Sequence, residues 1–148
     1  MMGIREEMPL LARHEGKWMG HYVWVDQQGN FVERHEARLE NSFPTEGPYE
    51  YYQINTYDYD DGRHEVIHFP AKYKDGQLWF DTDRITGRAW EVDENTMMLT
   101  WVRKDDPSGY FYEMIQLDAT GNKRSRVWQW FENGICTKRT LINEERVA

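Results

Sequence analysis

Arginine and tryptophan alternate along one short stretch near the C-terminus, in the order Arg124, Arg126, Trp128 and Trp130. A period of two is typical of a β-strand, so these four side chains share one face. If that face points inward, a guanidinium beside an indole forms a planar fork with a stacking wall, which suits a carboxylate or a phenolate. If it points to solvent, the arginines pair with acidic neighbours. The pattern leaves both orientations open.

A row of two amides and a phenol lies on another stretch with the same period. Gln53, Asn55 and Tyr57 share one face, and Tyr52 and Ile54 share the other. A buried polar group without a hydrogen bond costs about 1–3 kcal/mol. An inward row therefore predicts a ligand with polar ends. The alternative is that the row faces solvent while Tyr52 and Ile54 pack in the core.

Tyr112, Glu113 and His35 are the candidates for acid–base catalysis. Adjacent residues of a regular strand point to opposite faces, so Tyr112 and Glu113 cannot both line a pocket. We favour Glu113, because Arg126 can meet it across a hairpin. His35 shares a face with apolar residues and is predicted to point inward, as a general base, a haem ligand or a hydrogen-bonded core histidine.

The elements that must position these residues are β-strands. Turn signals such as Asp61-Gly62, Asp75-Gly76 and Asn133-Gly134 recur about every 12 residues in the second half of the chain. The predicted strands are 17–26, 31–42, 50–58, 64–69, 77–83, 88–93, 97–103, 110–118, 123–132 and 135–142, and the one predicted helix is 4–14. Hairpin-joined strands predict an all-β fold, a single antiparallel up-and-down barrel of about eight to ten strands over residues 1–148.

Composition and charge exclude several classes of protein. Of the 148 residues, 15% are aromatic, which argues against disorder, and the single cysteine, Cys136, excludes a disulfide framework. A run of about 18 apolar residues is missing, so we expect no membrane span. The net charge of −8 repels phosphate backbones, so we expect no nucleic-acid partner. The first residues lack a signal-peptide pattern, and a cytoplasmic location is expected.

The predicted helix is followed by Gly16-Lys17-Trp18, and this arrangement resembles the signature of the lipocalin or calycin superfamily. The resemblance implies that Trp18 closes one end of the barrel and that Arg139 lies across its ring as a cation–π contact. The chain also resembles a bacterial family of lipocalin-like domains of unknown function, in the segments His14–Trp18, Gln53–Tyr57, Leu78–Thr82, Tyr112–Ile115 and Arg124–Trp128. That resemblance implies a fold and no settled activity.

These features predict a barrel that binds a small, flat aromatic or anionic ligand, without a cofactor or a metal. The predicted ligand-binding residues are Tyr22, Trp24, Gln53, Asn55, Tyr57, Trp90, Trp101, Arg124, Arg126, Trp128 and Trp130. One alternative is a cofactor-independent lyase, decarboxylase, hydratase or isomerase that acts on a phenolic or other small aromatic substrate through Tyr112, Glu113 and His35. A second alternative is a barrel filled by its own indoles that acts as an interaction module. A homodimer is compatible with each function.

Overall fold

Ten antiparallel strands follow two short N-terminal helices in the computed structural model, which describes residues 3–147. The helices are α1 (Ile4–Glu7) and α2 (Pro9–Arg13), and the strands are β1 (Gly16–Asp26), β2 (Phe31–Ser42), β3 (Tyr51–Tyr59), β4 (His64–Lys74), β5 (Gln77–Asp81), β6 (Ile85–Glu91), β7 (Thr96–Arg103), β8 (Gly109–Leu117), β9 (Lys123–Glu132) and β10 (Ile135–Val147). Each strand pairs with its neighbours in sequence, and β10 returns to pair with β1. This closure confirms the predicted up-and-down barrel.

The two helices cover one end of the barrel, which we call the plugged end. Met8 separates them because a residue before proline disfavours the helical conformation, and Pro9 then occupies the first turn of α2, where its missing N–H is tolerated. Leu10 and Leu11 are buried, and the amide of Leu11 donates a hydrogen bond to Glu91 at the end of β6, at 2.9 Å. Within residues 3–147, neither helix is long and apolar enough to cross a membrane.

Trp18 closes the plugged end, and its side chain is fully buried. The guanidinium groups of Arg124 and Arg146 lie 4.3 Å and 4.5 Å from the centre of its ring. The prediction that Arg139 makes this contact is therefore wrong. The strand β10 runs on to Val147, so the residue paired with Trp18 is Arg146, whereas Arg139 lies nearer the opposite end.

Gly20 is required where β1 and β10 approach each other closely. A Cβ atom at this position would lie 2.1 Å from the carbonyl oxygen of Asn143, well inside van der Waals contact. Because the obstacle is backbone, a side-chain rotation cannot relieve it. The close pairing of β1 with β10 therefore requires glycine at position 20.

Gly20→Ala is expected to lower the free energy of unfolding by about 1–3 kcal/mol, because one strand must shift to admit the methyl group. Urea denaturation would measure the change. The matched control is Gly109→Ala, where a Cβ would meet the flexible side chain of Arg103 at 3.3 Å. We expect this control to change stability by no more than about 0.5 kcal/mol. Equal stability of the two variants would contradict the close approach at Gly20.

Candidate functional site

Four buried charged side chains form a network inside the barrel, which we call the Arg–Glu network: Arg124, Arg126, Glu113 and Glu144. Arg126 Nε donates to Glu113 at 2.5 Å, and Arg124 Nε donates to Glu144 at 2.7 Å. Arg126 Nη1 also donates to Glu144 at 3.3 Å and to the hydroxyl of Tyr22 at 2.8 Å. Both arginines thus point inward, but two protein carboxylates already balance their charges.

The pKa values of this network favour its ionised form. Burial by itself would raise the pKa of Glu144, but the charges and hydrogen bonds of Arg124 and Arg126 outweigh burial, and the pKa lies below its usual value. Burial likewise opposes the charge of Arg126, yet Glu113, Tyr22 and Glu144 raise its pKa well above the usual value. Glu144 and Arg126 are therefore charged at neutral pH.

The polar row on β3 points inward and forms a chain of hydrogen bonds. The hydroxyl of Tyr51 donates to Gln53 at 2.8 Å, Gln53 donates to Asn55 at 2.8 Å, and Asn55 donates to the hydroxyl of Tyr57 at 2.7 Å. The side chains of this row are hydrogen-bonded to one another. The row therefore needs no ligand to complete its hydrogen bonds, in contrast to the expectation from the sequence. Gln53 borders a small cavity of about 40 Å³ near the plugged end, and Tyr57 borders a larger one.

That larger space, the open-end cavity, has a volume of about 220 Å³ and lies at the end of the barrel away from the helices. Its wall includes the four tryptophans Trp24, Trp101, Trp128 and Trp130 and the three tyrosines Tyr22, Tyr57 and Tyr59. A wider depression of about 780 Å³ surrounds Met19, His21 and Lys123, but among the described residues no tryptophan or tyrosine lines it. The open-end cavity is therefore the candidate site for a flat ligand.

The aromatic rings of the cavity wall hold one another in place. Tyr22 packs edge-on against Trp128 with ring centres 5.3 Å apart, and Trp101 packs edge-on against Trp130 at 5.5 Å. Each such contact is worth about 0.5–1.5 kcal/mol beyond the area it buries. Gly87 makes room for Trp101, because a Cβ there would lie 2.4 Å from the Trp101 side chain. The wall of the cavity is thus packed ring against ring.

Three buried ring nitrogens in this wall have no hydrogen-bond partner within residues 3–147: Nε1 of Trp24, Nε1 of Trp128 and Nδ1 of His35. An indole N–H can only donate, whereas a neutral imidazole nitrogen donates or accepts according to its tautomer. Burial lowers the pKa of His35, so its ring is neutral at pH 7. Each unpaired group costs about 1–3 kcal/mol, which a ligand with acceptor atoms can offset.

Two residues that were predicted to be functional, Tyr112 and Trp90, lie on the outer face of the barrel. Tyr112 is 45% exposed, because its neighbour Glu113 takes the inward position on β8. Trp90 lies beneath the guanidinium of Arg88, at 4.6 Å, while the adjacent Ala89 is buried in the core. The predictions that Tyr112 is catalytic and that Trp90 binds ligand therefore do not fit the structure.

Several residues of the cavity wall were missed in the sequence. Tyr59 continues the inward face of β3 beyond Tyr57, and Ile67 and Phe69 share the inward face of β4. If the alternation of inward and outward side chains had been continued along β3 and β4, it would have predicted that these three residues point inward. Arg84 also borders the cavity, but it lies in the turn between β5 and β6, where alternation has no predictive value.

The histidines do not gather into a metal site. Within the described residues, His, Cys, Asp and Glu side chains form no group of three that could hold a metal ion. His64 lies 2.6 Å from Asp58 on the outer surface, and His68 lies 2.8 Å from the hydroxyl of Tyr52. His35 is the histidine that borders the open-end cavity.

Comparison with known proteins identifies the fold. Protein-family models and curated protein sequences gave no match. A protein of unknown function from the DUF3598 family of Nostoc punctiforme superposes with a TM-score of 0.72 at 18% identity, over 93% of this chain and 49% of that one. The S-type phycobiliprotein lyase CpeS of Guillardia theta superposes with a TM-score of 0.70 at 14% identity, over 99% of this chain and 94% of that one. The structure of EF1p2_mFAP2b bound to DFHBI superposes with a TM-score of 0.50 at 11% identity, over 98% of this chain and 100% of that one.

These similarities confirm the barrel fold that the resemblance at Gly16-Lys17-Trp18 implied. The chain spans about half the length of the DUF3598 protein, whereas it spans nearly all of the lyase. At identities of 18% and below, the likeness shows the fold alone.

Proposed function

We propose that the protein binds one small, flat aromatic ligand with a hydrogen-bond acceptor in the open-end cavity. The observation that carries this proposal is the set of three unpartnered nitrogens, on Trp24, Trp128 and His35, which belong to side chains of a mostly aromatic cavity wall. Pockets for drug-sized ligands have volumes of about 300–1,000 Å³. A cavity of about 220 Å³ therefore suits a ligand of one or two fused rings.

Two structural neighbours support ligand binding in this type of barrel. One is a phycobiliprotein lyase, and another has DFHBI bound. A completely filled barrel fits less well. Packing residues such as Trp18, Leu78 and Met97 fill the half near the helices, but the opposite half encloses the open-end cavity.

Binding is also better supported than catalysis. Of the three acid–base candidates, Tyr112 is exposed on the outer face and Glu113 is held in the ion pair with Arg126. His35 alone remains next to the cavity, as a neutral imidazole. A single histidine can accept a proton, but neither of the other two predicted acid–base groups is free to act beside it in the cavity.

The test compares 2-acetylnaphthalene with 2-ethylnaphthalene, which has the same ring system and no acceptor oxygen. We expect 2-acetylnaphthalene to bind one molecule per chain, about five- to tenfold more tightly than 2-ethylnaphthalene, as expected for one net hydrogen bond. Isothermal titration calorimetry measures both affinities. Trp128→Phe keeps an aromatic ring but removes one donor, so it should reduce the difference between the two ligands.

Trp79→Phe is the matched control, because Trp79 is 43% exposed on the outer face and its indole donates to the carbonyl of Lys74. We expect this variant to bind both naphthalenes as the unaltered protein does. If neither compound binds, the proposed function is wrong. If both bind with equal affinity, the cavity binds aromatic rings but the assignment of an acceptor group is wrong.

A further inference from the structure

Lys138 projects from β10 against the aromatic wall at the open end. Its Nζ atom lies 4.0 Å from the centre of the Trp24 ring and 4.9 Å from that of Trp130. Both rings line the open-end cavity. The ammonium group therefore lies against two indoles of the cavity wall, on a half-buried side chain.

This ammonium forms no salt bridge in the part of the chain that the structure describes, although Glu132 and Glu33 lie near enough to raise its pKa. Lys104 and Lys123, by contrast, pair with Asp81 and Glu145 on the outer surface. Burial lowers the pKa of Lys138 by more than these carboxylates raise it, as expected for a partly desolvated charge. An unpaired, partly desolvated cation attracts an anion more strongly than an exposed one, because the effective dielectric constant around it is lower.

We propose that Lys138 is the counter-ion that makes the open-end cavity prefer aromatic carboxylates to neutral aromatic ligands. The inference rests on the proposed binding function and adds the charge of the ligand. Arg126 does not supply this preference, because Glu113 and Glu144 already balance the Arg–Glu network.

A second observation points to the same place. Nε1 of Trp24 is one of the three unpartnered nitrogens, and the ring that carries it is the one that Lys138 touches. A carboxylate that accepts a hydrogen bond from this indole would lie close enough to pair with the ammonium. The ring of the ligand then extends inward between the tryptophans.

The test uses 2-naphthoate and 2-acetylnaphthalene, which share a ring system and a carbonyl oxygen but differ in charge at pH 7. Lys138→Met should weaken 2-naphthoate binding about tenfold and change 2-acetylnaphthalene binding by no more than about twofold, since a hydrogen bond to a charged group is lost only for the anion. Lys138→Arg keeps the positive charge and should retain most of the preference. Lys123→Met removes a cation near the plugged end and should change neither affinity.

Three results would overturn the inference. In the first, Lys138→Met weakens both probes equally, which would mean that Lys138 shapes the mouth without selecting charge. In the second, the preference survives in Lys138→Met and disappears in Arg84→Met, which alters a basic side chain that lines the cavity. In the third, neither probe binds the unaltered protein, and this result would contradict the proposed function itself.

Discussion

Glu144→Gln is expected to lower the free energy of unfolding by about 3–5 kcal/mol, the usual effect of breaking a buried ion pair by removing one partner. The Glu144 side chain is 0% exposed and accepts hydrogen bonds from both Arg124 and Arg126. A neutral amide would leave the Arg–Glu network with an excess positive charge that water cannot reach. Urea denaturation at pH 7 measures the loss.

Glu145→Gln is the matched control, one residue along the same strand. The Glu145 side chain is 73% exposed, and its carboxylate lies 3.8 Å from the ammonium of Lys123. An exposed pair of this kind contributes little, so we expect a change within about 0.5 kcal/mol. Equal effects of the two substitutions would show that the Arg–Glu network is not the buried, charge-balanced unit described above.

The pH dependence of this stability follows from the lowered pKa of Glu144. A carboxyl group with a lower pKa in the folded protein stabilises the fold at pH values above its unfolded pKa, near 4.5. That contribution disappears as the pH falls through the folded pKa, because the proton then binds in both states. The stability difference between the unaltered protein and Glu144→Gln should therefore be largest near neutral pH and narrow below about pH 4.5.

The Arg–Glu network also supports the candidate site, through Tyr22. The hydroxyl of Tyr22 accepts a hydrogen bond from Arg126, while its ring packs against Trp128 and His35, with ring centres 5.3 Å and 5.2 Å away. Trp128 and His35 each carry one of the unpartnered nitrogens of the cavity wall. The buried charges thus position the aromatic groups to which we assign binding.

Alternation along the strands predicted much of this arrangement. It placed Asn55 and Tyr57 on one face of β3 and Arg126 and Trp128 on one face of β9, because a regular strand has a period of two. The preference for Glu113 over Tyr112 as the inward residue rested on the same rule. The ten-strand count and the closure followed from hairpin turns, which are local features of the sequence.

The partners of these inward residues could not be predicted in the same way. Glu144 reaches Arg126 only because β9 pairs with β10 in one particular register. Arg146, and not Arg139, lies level with Trp18 because pairing with β1 carries β10 on to Val147. Register and strand length of this kind depend on how the whole barrel closes, so they are not encoded in any single segment.

Ile67→Trp is expected to weaken the binding of 2-acetylnaphthalene more than about 100-fold, equivalent to about 2.7 kcal/mol. Ile67 borders the open-end cavity, and an indole at this position would occupy space that is large enough for only one small ring system. The added ring fills a cavity, so the folded barrel should be retained, although overpacking of the wall can lower stability by about 1–3 kcal/mol. Calorimetry is the appropriate measurement, because the new tryptophan alters the intrinsic fluorescence.

Val66→Trp places the same side chain one residue earlier on β4, where the native valine is 47% exposed on the outer face. Adjacent strand residues point to opposite sides, so this control leaves the cavity open and should change the affinity by no more than about twofold. Comparison of the two variants separates a blocked cavity from a general effect of an added indole. Undiminished binding in a folded Ile67→Trp protein would contradict a ligand site in the open-end cavity and would point to the wider depression around Met19, His21 and Lys123.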